Sequence, residues 1–181
     1  QVARRANIDA TTRAIVDLGC GWGSASLYLA EHFPGAKVVG VSNSHSQREY
    51  IMRRATELGL TNLQIVTLNL AVSDLSPALD ALRGLLGAAD DEPVFFERGV
   101  SIEMFEHMKN YDALFAKVAA VLAPRTGTLF VHVFCHKQYA YHFVAKSDAV
   151  RLRLCRLTRV CLPSWSASIL LYTSLSRRTG W

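Results

Sequence analysis

Val16-Asp-Leu-Gly-Cys-Gly-Trp-Gly-Ser24 joins an apolar run, Ala14 to Leu18, to a segment of helical period that begins near Ser24. Glycines at 19, 21 and 23 let the chain turn sharply and let a ligand approach bare backbone amides, at the end of a helix whose dipole favours an anionic or polar group. A dinucleotide fingerprint needs Gly-x-Gly-x-x-Gly/Ala and a carboxylate about 20 residues further on for the ribose hydroxyl. Ser24 stands at the last glycine position and Asn43 near the carboxylate position, so NAD is disfavoured twice. No Gly-Lys-Ser/Thr follows, which removes the P-loop as well.

Outward from this turn, short apolar runs alternate with helical segments. Strands are expected at Ala14–Leu18, Lys37–Val41, Leu63–Leu68, Val94–Ser101 and Thr128–Phe134. Helices are expected from Ser24 to before Pro34, and at Ser46–Leu58, Ser76–Leu86 and Tyr111–Leu122. That alternation predicts an α/β chain: a Rossmann-like parallel sheet with helices on both faces. Gln1 to Asp9 resembles the middle of a helix, and Ala88 to Glu92 a surface loop. After His142 the periodicity blurs, and Arg151 to Arg159 can be written as strand or helix. We therefore divide the chain into a core at 1–143 and a divergent basic segment at 144–181.

The 181 residues are 50% hydrophobic and only 19% charged, enough apolar material for one folded core. Net charge is +5 with a pI near 9.2. Lys146, Arg151, Arg153, Arg156, Arg159, Arg177 and Arg178 stand against Asp148 alone in 144–181, a local +6, which leaves −1 on 1–143. The basic balance thus belongs to the tail, and without interleaved aromatic residues a nucleic-acid partner is not expected. Four scattered cysteines fit neither a disulfide scaffold nor paired metal ligands, so a reducing, cytoplasmic setting is expected. Cys135, His136 and His142 lack a second partner set, and no metal is expected. No apolar stretch is long enough for a transmembrane segment.

The Asp-x-Gly-x-Gly-x-Gly run resembles the first motif of class I S-adenosyl-L-methionine-dependent methyltransferases. Three later stretches sharpen the likeness: Val41-Ser-Asn-Ser-His-Ser-Gln47, Val100-Ser-Ile-Glu-Met-Phe-Glu-His-Met-Lys-Asn-Tyr111 and Phe134-Cys-His-Lys-Gln-Tyr-Ala-Tyr-His-Phe143. Over residues 6 to 143 the chain resembles the coclaurine N-methyltransferase and cyclopropane fatty acid synthase family. The resemblance implies S-adenosyl-L-methionine as cofactor and a small-molecule amine as methyl acceptor. It implies that Gly19, Gly21 and Gly23 approach the methionine part, that Asn43 and Gln47 bond the ribose or adenine end, and that Asn69 and Leu70 meet adenine. Asn69 stands where relatives usually carry aspartate. Val100 is implied as a backbone contact. Asp17 has two readings, as part of the cofactor site or as an organiser of the turn.

Glu103, Glu106 and His107 fall at the carboxyl end of the fourth strand, where open α/β sheets hold ligands. Methyl transfer to nitrogen needs alignment and a free lone pair, so a carboxylate and an imidazole that hold an ammonium and take its proton suit the chemistry. The resemblance implies that catalytic role for all three. His132 reads equally as a hydrogen-bonded core residue or a substrate contact, and Tyr139, Tyr141 and Phe143 as pocket lining or a cap on the sheet. The family's N-terminal helical region, its acidic lid after residue 143 and its terminal strands have no counterpart here, so the sequence resembles a core truncated at both ends. Two other readings follow: cyclopropane-type transfer to a phospholipid alkene, or a non-catalytic cofactor-binding remnant.

Overall fold

Ala14–Leu18 (β1) is buried along its whole length because it has neighbours on both edges and helices on both faces. It pairs in parallel with Lys37–Ser42 (β2) on one side and Arg98–Ile102 (β4) on the other. An apolar run of this kind is what a doubly covered strand requires. Leu63–Thr67 (β3), Thr128–Cys135 (β5) and Ser168–Leu175 (β6) extend the sheet in the order β3-β2-β1-β4-β5-β6, all parallel. The computed structural model describes residues 1–135 and 168–175.

Val2–Arg5 (α1), Ser24–His32 (α2) and His45–Glu57 (α3) lie on one face, where Leu29, Ala30, Ile51 and Ala55 meet Ile15, Val38 and Phe130. Ser76–Leu86 (α4) and Tyr111–Val121 (α5) lie on the other, where Ala78, Leu82, Leu114 and Val118 meet Val16, Val39 and Leu129. The predicted sheet with helices on both faces is the observed one. Strand order reverses between β1 and β4, and a doubly wound sheet opens a crevice at that point, outside the carboxyl ends of the strands.

Local chemistry explains most of the boundaries. Ser44 caps α3 by accepting the Gln47 amide, so the helix begins at His45, one residue before the expected start. Asn110 caps α5 by accepting the Ala113 amide at 3.0 Å. Pro77 lies in the first turn of α4, and Gly87, at φ +65°, ends it. Two expectations need correction. The fourth strand starts at Arg98 rather than Val94, because Phe96 bonds both ways with the end of α5, at Val121 and Ala123, and forms a lone bridge with Leu122. The N-terminal helix stops at Arg5, since Asn7 takes φ +54° and Ile8 turns inward to bond Ala3. β6, which the periodicity does not indicate, lies beside β5. Residues 136–167 and 176–181, with Tyr139, Tyr141, Phe143 and the arginine-rich stretch, lie outside the described residues.

Phe96 is fully buried where the β4 entry, β1 and α5 converge. Phe96→Ala is expected to cost about 3–5 kcal/mol in urea unfolding, since it leaves a phenyl-sized void in a packed centre.

Candidate functional site

The chain leaves β1 through Gly19, Gly21 and Gly23, at φ +77°, +54° and +81°. Each is in the left-handed region, where a Cβ is strained. Their surroundings differ. A Cβ on Gly19 would lie 2.4 Å from Met104 Cγ, and one on Gly23 2.5 Å from Ile51 Cγ1, whereas one on Gly21 meets nothing within 4 Å. Gly23 therefore serves the seating of the turn against α3. Gly21 instead leaves open a space that a side chain would occupy.

That space belongs to a cavity of about 470 Å³ at the carboxyl ends of β1, β2, β3 and β4. It gathers Gly19, Gly21, Asn43, Gln47, Asn69, Leu70, Glu103 and His107, eight of the twelve residues singled out in the sequence. Ser42, Leu68, Ala71, Met104 and Met108 also line it. Ser42 is not among the twelve, yet its hydroxyl organises one wall by donating to Gln47 Oε1 at 2.6 Å and accepting the Ser44 amide at 3.1 Å. This fixes the Gln47 side chain and leaves its amide nitrogen as the donor for a ligand. Met104 and Met108 belong to the quoted Val100–Tyr111 segment, where their apolar side chains read as packing.

A second cavity, of about 570 Å³, opens on the α1 and α2 side of the same turn, between Val2, Ala3, Ser24, Tyr28 and Ile102. Gly19, Gly21 and Glu103 line both cavities. Glu103 thus stands on their common rim. Its backbone is held at φ +55°, unusual for a residue with a side chain, by donation of its amide to the His132 carbonyl at 2.9 Å. Its Oε1 lies 2.9 Å from His132 Nδ1. His132 is therefore a partner of the rim carboxylate, not only a core histidine.

Glu106 and His107 sit on a single 3-10 turn, Phe105–His107, that follows Glu103. Burial is the main cause of a raised Glu106 pKa; its own backbone amide opposes the rise, and the adjacent Glu103 carboxyl adds to it. Glu106 Oε2 is buried, and Glu106 does not line either cavity. Val100 is fully buried between β1 and β5, paired with Asp17 and Phe130.

Asp17 is only 2% exposed and accepts the Ser26 hydroxyl at 2.6 Å, with further help from the Ser26 amide. The carboxylate thereby fastens the first turn of α2 to β1, and it also lines the second cavity. Burial pushes its pKa up to about 6. Among the described residues no group of three or more His, Cys, Asp or Glu could hold a metal ion, and no helix is long and apolar enough to cross a membrane.

Two expectations follow. A folded-state pKa above the ordinary carboxylate value makes the native state bind the Asp17 proton more tightly than the unfolded chain does, so stability falls as pH rises from about 4 to 6 and then levels. Urea melts across that range should show wild type losing up to about 3 kcal/mol relative to Asp17→Asn; a constant difference would contradict it. Gly19→Ala should destabilise the fold by more than Gly21→Ala, for which only the left-handed strain of about 1 kcal/mol applies.

A family model described as mycolic acid cyclopropane synthetase matches residues 3–151. Pavine N-methyltransferase of Thalictrum flavum subsp. glaucum is 34% identical over 131 residues, which is 72% of this chain and 32% of that protein. The (S)-coclaurine N-methyltransferase of the same plant is 32% identical over 130 residues, 72% of this chain and 31% of the relative. The chain spans about a third of the length of these curated relatives. A crystal structure of coclaurine N-methyltransferase bound to N-methylheliamine and SAH superposes with a TM-score of 0.64 at 30% identity, covering 80% of this chain and 37% of that one.

Proposed function

The chain belongs to the mycolic acid cyclopropane synthetase family, and on that premise we propose that it is the core of an S-adenosyl-L-methionine-dependent N-methyltransferase acting on a small-molecule amine. The observation that carries this reading is the position of Glu103 on the shared rim of two cavities. One cavity suits the cofactor and the other the acceptor, with a carboxylate where they meet.

The first cavity fits the cofactor on its own terms. Its volume is in the usual range for small-molecule sites, and Gly21 keeps clear a space that any side chain would fill. Gln47, pre-aligned by Ser42, and Asn43 are the polar groups for the ribose hydroxyls. Asn69 and Leu70 form the wall for the base, and Gly19 with Gly21 the floor for the methionine part. Asn69 Oδ1 already accepts the Ala71 amide at 3.0 Å, so its amide nitrogen remains for a base acceptor in place of the acceptor that an aspartate would present. When bound, the cofactor supplies an electrophilic methyl on a sulfonium, open to in-line attack.

The protein's share is then alignment and proton removal. Glu103, at the rim, holds the protonated amine by charge and keeps the nitrogen near the line of attack. Glu106, set behind the rim with a raised pKa and hydrogen-bonded to Glu103, is suited to receive by way of Glu103 the proton whose loss frees the nitrogen lone pair. His107, exposed on the cavity wall, can pass that proton to solvent. The second cavity, with Glu103, Asp17 and the Tyr28 ring in its lining, is suited to a cationic amine bearing an apolar body. A second reading, transfer to a phospholipid alkene, is favoured by the Glu103–His132 pair, which could hold a bicarbonate-like base.

Isothermal titration with S-adenosylhomocysteine should show one saturable site; absence of heat and of a thermal shift would refute the cofactor assignment. Gly21→Ala should weaken that binding while the fold persists. In methyl-transfer assays with benzylisoquinoline amines, Glu106→Gln and His107→Ala should each lower kcat by about 10²–10⁴ if they move the proton. Activity should fall as pH drops through a value above the ordinary carboxylate range, because Glu106 must be ionised to act as base. Full activity in both variants would reject the roles, turnover on lipid vesicles alone would favour the second reading, and cofactor binding without turnover of either substrate would mark a non-catalytic remnant.

A further inference from the structure

The base-side wall of the first cavity, Leu68 to Ala71, follows β3 and has no regular structure of its own. Within it the chain reverses on Asn69, whose carbonyl accepts the Val72 and Ser73 amides at 3.1 and 2.8 Å. The Leu68 amide ties the near end of the wall to β2 by donating to the Ser42 carbonyl at 2.8 Å, whereas the bonds on Asn69 are local. The far end, Leu70 and Ala71, is held by a more remote contact. Lys117, on α5, sends its ammonium to the Leu70 carbonyl at 3.2 Å and the Ala71 carbonyl at 3.4 Å.

The same helix holds the opposite wall. The Tyr111 hydroxyl donates to the Phe105 carbonyl at 2.8 Å, and the Phe105 ring packs on Tyr111 and Phe115. Phe105 lies between Met104 and His107, both of which line the cavity. α5 is therefore tied at its first turn to the wall carrying the proposed chemistry, and at Lys117 to the wall proposed for the base. Lys117 itself does not line the cavity. We propose that Lys117 is a positioning residue that sets the separation of the two cavity walls by holding the Leu70 and Ala71 carbonyls from behind, and so tunes cofactor affinity without touching the ligand. This rests on the cofactor reading given above.

The test compares Lys117→Met and Lys117→Arg with wild type. Lys117→Met should raise the Kd for S-adenosylhomocysteine about tenfold, as expected for loss of a charged hydrogen bond. It should raise the KM for the methyl donor similarly and leave kcat at saturating donor within about twofold. Lys117→Arg, which keeps two donors on a long stem, should restore most of the affinity. Without ligand, amide exchange at Val72 and Ser73 should quicken in Lys117→Met while the β1 and β4 amides stay protected. Unchanged exchange and Kd would overturn the proposal, and so would parallel losses of kcat, affinity and Tm, which a merely structural residue would give. If wild type fails to bind S-adenosylhomocysteine, the cofactor reading falls, and the ligand-free exchange rates alone then decide whether Lys117 holds the wall.

Discussion

The amides of Gly19 and Cys20 both donate to the carbonyl of Val41 at 2.9 Å. This pair of bonds holds the chain across the end of β2 after it leaves β1, and it is possible only because Gly19 accepts φ +77° with Met104 packed where a side chain would be. Once the turn is fixed there, α2 must start at Ser24 and descend along one face of the sheet. The space above the strand ends is then left between the turn, the β2–α3 segment and the segment after β4. The buried Asp17 completes the fastening from below by bonding Ser26. A charged or nearly charged group in so dry a position is unfavourable by itself. It is retained where it orders the first turn of a helix that has no side-chain cap of its own, Gly23 being at the cap position.

The site draws on four strand ends, and its rigidity comes from different sources. The Asn43–Gln47 side is held by local bonds to the Ser42 and Ser44 hydroxyls, which accept the Ser44 and Gln47 amides, and by donation of the Ser42 hydroxyl to Gln47 Oε1. The Glu103–Met108 side is held by aromatic packing of Phe105 and by the backbone bond from Glu103 to the His132 carbonyl. The side after β3 is held at its start by the Leu68 amide on the Ser42 carbonyl and at its far end by a lysine from a helix 46 residues away in sequence. Preorganisation of this kind lets a ligand bind without first ordering the loops that meet it.

The sheet was legible in the sequence because parallel strands buried on both faces are written as unbroken apolar runs. β1 and α4 have the expected ends to the residue. The start of the fourth strand was not, since Val94, Phe95 and Phe96 are as apolar as a strand but precede the pairing with β1, and the end of α5 is the partner that Phe96 meets. For the site, the residue types and their order after each strand brought Gly19, Gly21, Asn43, Gln47, Asn69, Leu70, Glu103 and His107 together in one cavity. Gly23 and Asp17 were less transparent: a glycine that seats a helix against Ile51 and one that faces an open cavity have the same letter, and only the surroundings separate them. His132 and Lys117 could not be assigned from spacing at all, because their partners, Glu103 and the Leu70–Ala71 carbonyls, are distant in sequence and chosen by the packing of β5 and α5.

The left-handed backbone of Glu103 has an evolutionary consequence. A glutamate codon becomes a glycine codon by a single transition, and glycine takes φ +55° without the steric cost, of order 1 kcal/mol, that a residue with a Cβ bears there. That change would erase the rim carboxylate and its contact with His132 while relieving the backbone strain. Relief of strain alone would therefore favour glycine at this position, and on the proposed function it is selection for chemistry that would hold the glutamate in place. Lineages released from that second pressure would be expected to lose it early and still fold.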